Sequence, residues 1–169
     1  ISAQSVSNKV NSVNPVYVSS SVENATPSLL EMTYDLNLAN VVPSASAFLV
    51  IVNSKVITVN KVAISGTKVQ LTLASPIVYG DVVTVSYTKP SGNQLQTTSG
   101  GQAATISAQT VKNNTINVAP TAAITSPVNN MVFTALSNIT ITADASDADG
   151  SITLVEFYSG STNLGSTSE

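Results

Sequence analysis

Apolar and polar residues alternate one for one along much of this chain. In KVQLTLA, residues 68–74, Val69, Leu71 and Leu73 fall on one face and Lys68, Gln70 and Thr72 on the other. DVVTVSY, residues 81–87, sets Val83, Val85 and Tyr87 against Val82, Thr84 and Ser86. NITITADA, residues 138–145, sets Ile139, Ile141 and Ala143 against Asn138, Thr140 and Thr142. A period of two is the period of the pleat, so each stretch predicts a strand with one face turned inward. AFLVIVN, residues 47–53, is apolar at every position but the last, which predicts a strand covered on both sides. ITVNKVAI, residues 57–64, predicts one further strand. LLEMTYD, residues 29–35, contains helix formers, but Pro27 just before it and the β-rich surroundings make it a strand. Turn-forming residues separate the strands: Asn53-Ser54, Ser65-Gly66, Tyr79-Gly80-Asp81 and Lys89-Pro90-Ser91-Gly92. No segment sustains a helical stripe. Strands recurring at roughly 8–15 residue intervals point to an antiparallel β-sandwich.

A repeat divides the chain. ISAQSVSNKVNSVNP, residues 1–15, returns at residues 106–120 as ISAQTVKNNTINVAP, with eight of fifteen positions identical and no gap. After Pro15 and Pro120 the likeness stops. A tandem array accounts for this: residues 1–11 as the last strand of a preceding repeat, 12–15 as a linker, 16–112 as a complete sandwich, 113–120 as a second linker, and 121–169 as a module of another kind. A proline at each junction fixes φ and removes a donor, so the ladder cannot run on, and short linkers of this type are semi-rigid. On this reading the neighbouring domains of the same chain are each module's first partners.

Composition narrows the chemistry. The chain has 169 residues, 43% of them hydrophobic and 9% charged, with six Lys against nine acidic residues and a net charge of −3. Such a chain has no electrostatic footprint for nucleic acid and no basic amphipathic helix for a membrane surface. Its hydrophobic content is too high for disorder, and no apolar run approaches the ~20 residues that span a bilayer. The absence of His and Cys rules out Ser–His–Asp triads, Cys nucleophiles and nitrogen- or sulfur-ligated zinc. No secretory leader is visible.

The order LLEMTYDLNL, then SASAFLVIVNSKVITVNKVAISGTKVQLTLASPIVYGDVVTVSYTKP, then GGQAATISAQTV resembles the SwmB-type repeat of large bacterial surface and motility-associated proteins. The resemblance rests on Phe48 before its strand, on SGTKVQLTL, and on Gly80-Asp81-Val82-Val83-Thr84-Val85-Ser86-Tyr87, and it covers residues 16–112. It implies an extracellular, non-enzymatic structural unit. Residues 120–169 resemble the first half of a bacterial Ig-like domain of the Big group, close to PKD domains. Ile124-Thr125-Ser126-Pro127, Ile139-Thr140-Ile141-Thr142-Ala143, Ser146-Asp147-Ala148-Asp149-Gly150-Ser151-Ile152 and Val155-Glu156-Phe157-Tyr158 carry that resemblance. An Ig-like sandwich takes about 100 residues, twice the length remaining after Pro120. The fold expected is therefore all-β, tandem immunoglobulin-like antiparallel sandwiches, one complete and one truncated. A half-sandwich leaves an apolar face and open strand edges, so the second module is expected to need contact with another molecule or with the first module. Edge-strand self-association is one such contact.

One constellation offers chemistry. Asp144, Asp147 and Asp149 lie within six residues, followed by Gly150. Closely spaced carboxylates on a turn suit a hard cation such as calcium. The PKD resemblance implies Asn117, Asp147 and Asp149 as its ligands. Asp-Ala-Asp-Gly is equally a plain β-turn, with Asp accepting backbone N–H bonds and Gly taking a positive φ. The spacing is not that of an EF-hand. Other candidates are weaker. No aromatic cleft is evident around Glu31 and Asp35, so they read as solvated, or Glu31 as the partner of a Lys, rather than as a glycosidase pair. Tyr17, Tyr34, Tyr79, Tyr87 and Tyr158 would suit a surface polysaccharide if they formed a row, but Tyr in a sandwich is more often core or corner. Gly100-Gly101 is a loop without phosphate-cradle spacing. The function expected is a non-enzymatic, adhesin-like spacer of a large secreted or cell-surface bacterial protein. The alternative is an accessory or carbohydrate-binding region of a secreted polysaccharide-degrading enzyme.

Overall fold

Strands with one apolar face must find a cover for it, and in the first half of the chain they cover each other. The computed structural model describes residues 12–168. It divides into two units that meet between Thr115 and Ile116. Among the described residues the first holds eight strands: β1 Tyr17–Glu23, β2 Leu29–Tyr34, β3 Phe48–Val52, β4 Lys55–Ile57, β5 Val59–Ser65, β6 Lys68–Leu73, β7 Val83–Tyr87 and β8 Ile106–Asn114. Their order across the sheet is β4-β3-β7-β8-β1-β2-β6-β5. The β1-β2-β6-β5 half and the β8-β7-β3-β4 half share one core, in the A-B-E-D and G-F-C-C′ order of the immunoglobulin sandwich. Neighbours are antiparallel with one departure: β1 and β8 pair in parallel through Ser21↔Lys112, Val22↔Asn113 and Glu23↔Asn114. A parallel pair needs a long crossover, and here the rest of the module supplies it.

The alternating positions build the core as the pattern requires. Val69, Leu71 and Leu73 of β6, and Val83, Val85 and Tyr87 of β7, are all buried. Leu30, Met32 and Tyr34 of β2 face them from one half, and Phe48, Val50 and Val52 of β3 from the other. Full burial of each aliphatic side chain contributes on the order of 1.5–3 kcal/mol.

Three expectations shift. β3 is not covered on both sides: Leu49 is 44% exposed, because β3 lies in a sheet whose outer face meets solvent. The stretch 57–64 is not one strand. It ends β4 at Ile57 and begins β5 at Val59, so the chain crosses from one half of the sandwich to the other at Thr58. β8 runs to Asn114, so residues 113–115, expected in a linker, belong to the first unit. The strand expected at 1–11 lies outside the described residues.

The second unit consists of two hairpin-like pairs, β9 Thr121–Ser126 with β10 Thr142–Ser146, and β11 Val155–Ser159 with β12 Thr162–Thr167. Ile141, Ala143 and Ala145 are half-buried while Thr142, Asp144 and Ser146 are exposed, which follows the expected alternation; Ile139 precedes the strand and is exposed. Ile124, Ile141, Ala143, Val155 and Phe157 line one shallow cleft within this unit. Among its described residues none is buried.

Candidate functional site

The residues that do more than fill the core cluster where the chain enters and leaves the first unit. At the entrance, Pro15 is buried, and three neighbours are tied down. The Val16 amide donates to Asp35 Oδ1 at 2.7 Å, and the Asp35 amide returns a bond to the Val16 carbonyl at 3.0 Å. Thr97 Oγ1 donates to the Val13 carbonyl at 3.2 Å, and the Gln102 amide donates to Asn14 Oδ1 at 3.0 Å. Thr97 and Gln102 belong to the connection between β7 and β8. This connection turns back on itself through Thr97 N to Gly101 O and Ala103 N to Leu95 O, and it sinks Leu95, Thr97 and Ala103 into the module. Gly101 touches the entrance directly: a Cβ there would lie 2.0 Å from the Val13 carbonyl oxygen. Only glycine lets the two backbones approach this closely. Residues 13–15 are thus held against the first unit.

The other end is held by a second network. Asn113 Nδ2 donates to the carbonyls of Val78 and Asp81, at 2.8 and 3.3 Å, while Asn113 Oδ1 accepts from the Thr115 amide at 3.0 Å and the Thr115 hydroxyl at 2.7 Å. Asp81 accepts from Val78 N through Oδ2 and from Asn53 Nδ2 through Oδ1. Asn53 and Ser54 form the two-residue turn between β3 and β4, at φ 48 and 68. Positive φ at both positions matches the twist of the flanking strands. Asn114 Nδ2 donates to Glu23 Oε1 at 2.9 Å, bonding the end of β8 to the end of β1 by side chains as well as by backbone.

Glu31 accepts from Gln70 Nε2 at 2.9 Å and from Lys68 Nζ at 2.5 Å. These bonds, the Gln70 one foremost, hold its carboxyl below the usual carboxylate range against a smaller opposing effect of burial. Asp35 serves the entrance, so Glu31 and Asp35 each have a structural partner. The five tyrosines form no row. Tyr34 and Tyr87 are buried, Tyr17 is half-buried against Tyr34 edge to face, Tyr79 is exposed, and Tyr158 belongs to the second unit. The Tyr87 hydroxyl accepts from the Leu95 amide at 3.1 Å; burial raises its phenol and that bond partly offsets the rise. Burial raises the Tyr34 phenol further, and its hydroxyl meets no hydrogen-bonding group among the described residues.

In the second unit the acidic turn does come back to the leading segment. Both carboxylate oxygens of Asp149 accept from the Val118 amide, at 3.1 and 3.0 Å, and the Asp149 amide donates to Asp147 Oδ1 at 3.2 Å. Asn117 is exposed beside Val118. Among the described residues no three His, Cys, Asp or Glu side chains converge as a metal site would need. Asp149 accepts the Val118 amide and Asp147 the Asp149 amide, a pattern a plain turn also makes. Gly150 does not take a positive φ, and a Cβ there would lie 2.7 Å from Asp147 Oδ2, a side-chain atom.

The sequence pattern marked Asn53 and Gly101 only as turn and loop residues, and gave Thr97 and Asn113 no structural role. Their partners lie far off in the chain, Val13 from Thr97 by 84 positions, and local periodicity carries no trace of such pairs.

Residues 10–92 match the family model described as "Putative flagellar system-associated repeat", and residues 120–169 match that of the bacterial Ig domain. The connection at 95–103 and β8 lie past the first match. No curated protein matches the chain. Among solved structures, the chain is similar to the N-terminal part of the bacterial S-layer protein SbsC at 13% identity and a TM-score of 0.48, covering 90% of this chain and 37% of that one. It is similar to the S-layer protein rSbsC(31-844) at 16% identity and a TM-score of 0.49, covering 89% of this chain and 22% of the other. The chain thus spans well under two thirds of the length of these proteins.

Proposed function

Because the chain joins a flagellar system-associated type of repeat to a bacterial Ig domain, we propose that it is a structural spacer within a large bacterial protein displayed at the cell surface. In this reading it is an adhesin-like stalk that holds an active part of the protein away from the cell. The observation that carries the reading is the anchoring of the first unit at both ends. Asp35, Thr97 and Gln102 fix the chain on its way in, and Asn113, Asp81 and Glu23 fix it on its way out. A catalytic module gathers its polar side chains in a cleft. This one sets them on backbone carbonyls and amides at its ends, where they hold the entering and leaving chain against the module. The side chains of Glu31 and Asp35 are engaged in the same structural way. The uncharged Ser, Thr and Asn that dominate the outer positions suit a surface with no single electrostatic partner.

Location and stiffness are tested separately. Protease added to intact producing cells is expected to remove an epitope in residues 12–115, and an epitope cut only after lysis would overturn surface display. Spin labels at Ser12 and Lys112 are expected to give one narrow distance distribution. A broad one would show that the entrance segment is not held and would remove the spacer reading.

A further inference from the structure

The first and last strands of the first unit lie side by side and run in the same direction. In an antiparallel pair joined by a turn, the two free ends lie together, so pulling them apart breaks the ladder one bond at a time. In the parallel β1–β8 pair the free ends lie at opposite ends. The chain comes in at the start of β1 and goes out at the end of β8. Tension between them acts along the strands and loads the bonds across Ser21↔Lys112, Val22↔Asn113 and Glu23↔Asn114 together.

We infer that the parallel β1–β8 pair is the mechanical clamp of this module, the element whose rupture sets the force at which it unfolds. The inference rests on the spacer reading and adds to it where the force is carried. Several observations place the strength there. Val22 is fully buried beside the pairing, and Val111 is buried one residue before it, so sliding β1 past β8 would drag apolar side chains through the core. Asn114 Nδ2 to Glu23 Oε1 is a side-chain bond across the same junction. Asn113 holds β8 to the Val78 and Asp81 carbonyls, so β8 does not simply follow the pull. At the starts of the two strands the arrangement is opposite. There β1 and β8 do not pair, and an open cleft of about 470 Å³ lies between them, lined by Val16, Tyr17, Ile106 and Ser107. A force applied across that cleft would peel the strands apart instead of shearing them.

The chain has no cysteine, so pairs of introduced cysteines can set the pulling direction in the full chain. Single-molecule force spectroscopy would compare tethers at Ser12 and Asn117, which load the junction in shear, with tethers at Ser12 and Ser107, which load it by peeling. The expected result is a several-fold higher unfolding force in shear, because forced unfolding reads the barrier along the pulled direction. Asn114→Ala is expected to lower the shear force and leave the peeling force unchanged. Equal and high forces in both directions would overturn the clamp while leaving the spacer reading intact. Low forces in both directions would remove the two together. An Asn114→Ala variant that weakens both directions equally would show that the bond serves general stability, and would also overturn the assignment.

Discussion

Tyr34 and Tyr87 present the same side chain in the same core with opposite consequences. The Tyr87 hydroxyl is the partner of a buried amide, Leu95 N–H, whereas the Tyr34 hydroxyl has no partner among the described residues. Removing one half of a buried hydrogen bond costs the desolvation of the other half, while removing an unpaired hydroxyl costs nothing of that kind. Tyr87→Phe is therefore expected to destabilise the first unit by about 1–3 kcal/mol, and Tyr34→Phe to be neutral or stabilising. Urea denaturation of the two variants checks both, and the reverse order would contradict the assignment. Gly101 gives a second contrast. Gly101→Ala must displace the Val13 backbone and is expected to cost about 1–3 kcal/mol by overpacking, with faster hydrogen exchange at the Gln102 amide. Gly92→Ala meets nothing within 4 Å and is expected to stay within about 0.5 kcal/mol of the parent. In the second unit, Asp149→Ala removes the acceptor for Val118 N–H, so that amide should exchange faster, and a chelator should leave its exchange in the parent unchanged. Slower exchange on adding calcium would favour the metal reading.

Among the elements, the β2–β6 pair carries the clearest dependence on pH. Thr33 faces Lys68 and Glu31 faces Gln70 across this ladder, and Glu31 takes its two side-chain bonds from Lys68 and Gln70. Its folded pKa lies below the ordinary 4.5, so the folded state holds its proton less tightly than the unfolded chain. The stabilisation is complete above the unfolded pKa and is lost as pH falls through the folded one. Denaturation midpoints taken from neutral to acidic pH should fall over that window, and Glu31→Gln should flatten the fall. The ion pair is partly exposed, so its contribution at neutral pH is no more than about 1 kcal/mol. At this scale the sequence was a good guide wherever one face alone met the core. β6 and β7 turn inward the residues that period two selects. It misled at β3 and at residues 57–64, because apolar residues such as Leu49 and Val56 can lie on a sheet surface without a cover, and period two does not record a change of sheet at Thr58.

For the whole molecule, the two units differ in kind. The first closes a core around Val22, Leu30, Val50, Leu71 and Val85, each of them fully buried. The second has two two-stranded sheets and no buried residue among those described. Two-stranded sheets are marginal in water without a covering layer. Hydrogen exchange should therefore separate them: amides of β2, β6 and β7 should exchange only through global opening, and those of β9 to β12 far faster. Comparable protection in both would show that the second unit has a cover of its own. The sequence by itself determined that the chain is all-β, which faces of most strands are apolar, where the turns fall, and that a repeat-type module precedes an Ig-type one. The first three are local properties, fixed by the pleat and by the conformational limits of Gly, Pro and Asn; the order of modules rests on the resemblance of its motifs to known families. Tertiary structure alone decided that β1 and β8 run parallel, that Gly101 packs on Val13, that Asp35 and Asn113 hold the two ends, and that Asp149 serves an amide. Each of these joins residues distant in the chain, and such pairs are selected by closure of the whole sandwich rather than by any pattern within a strand.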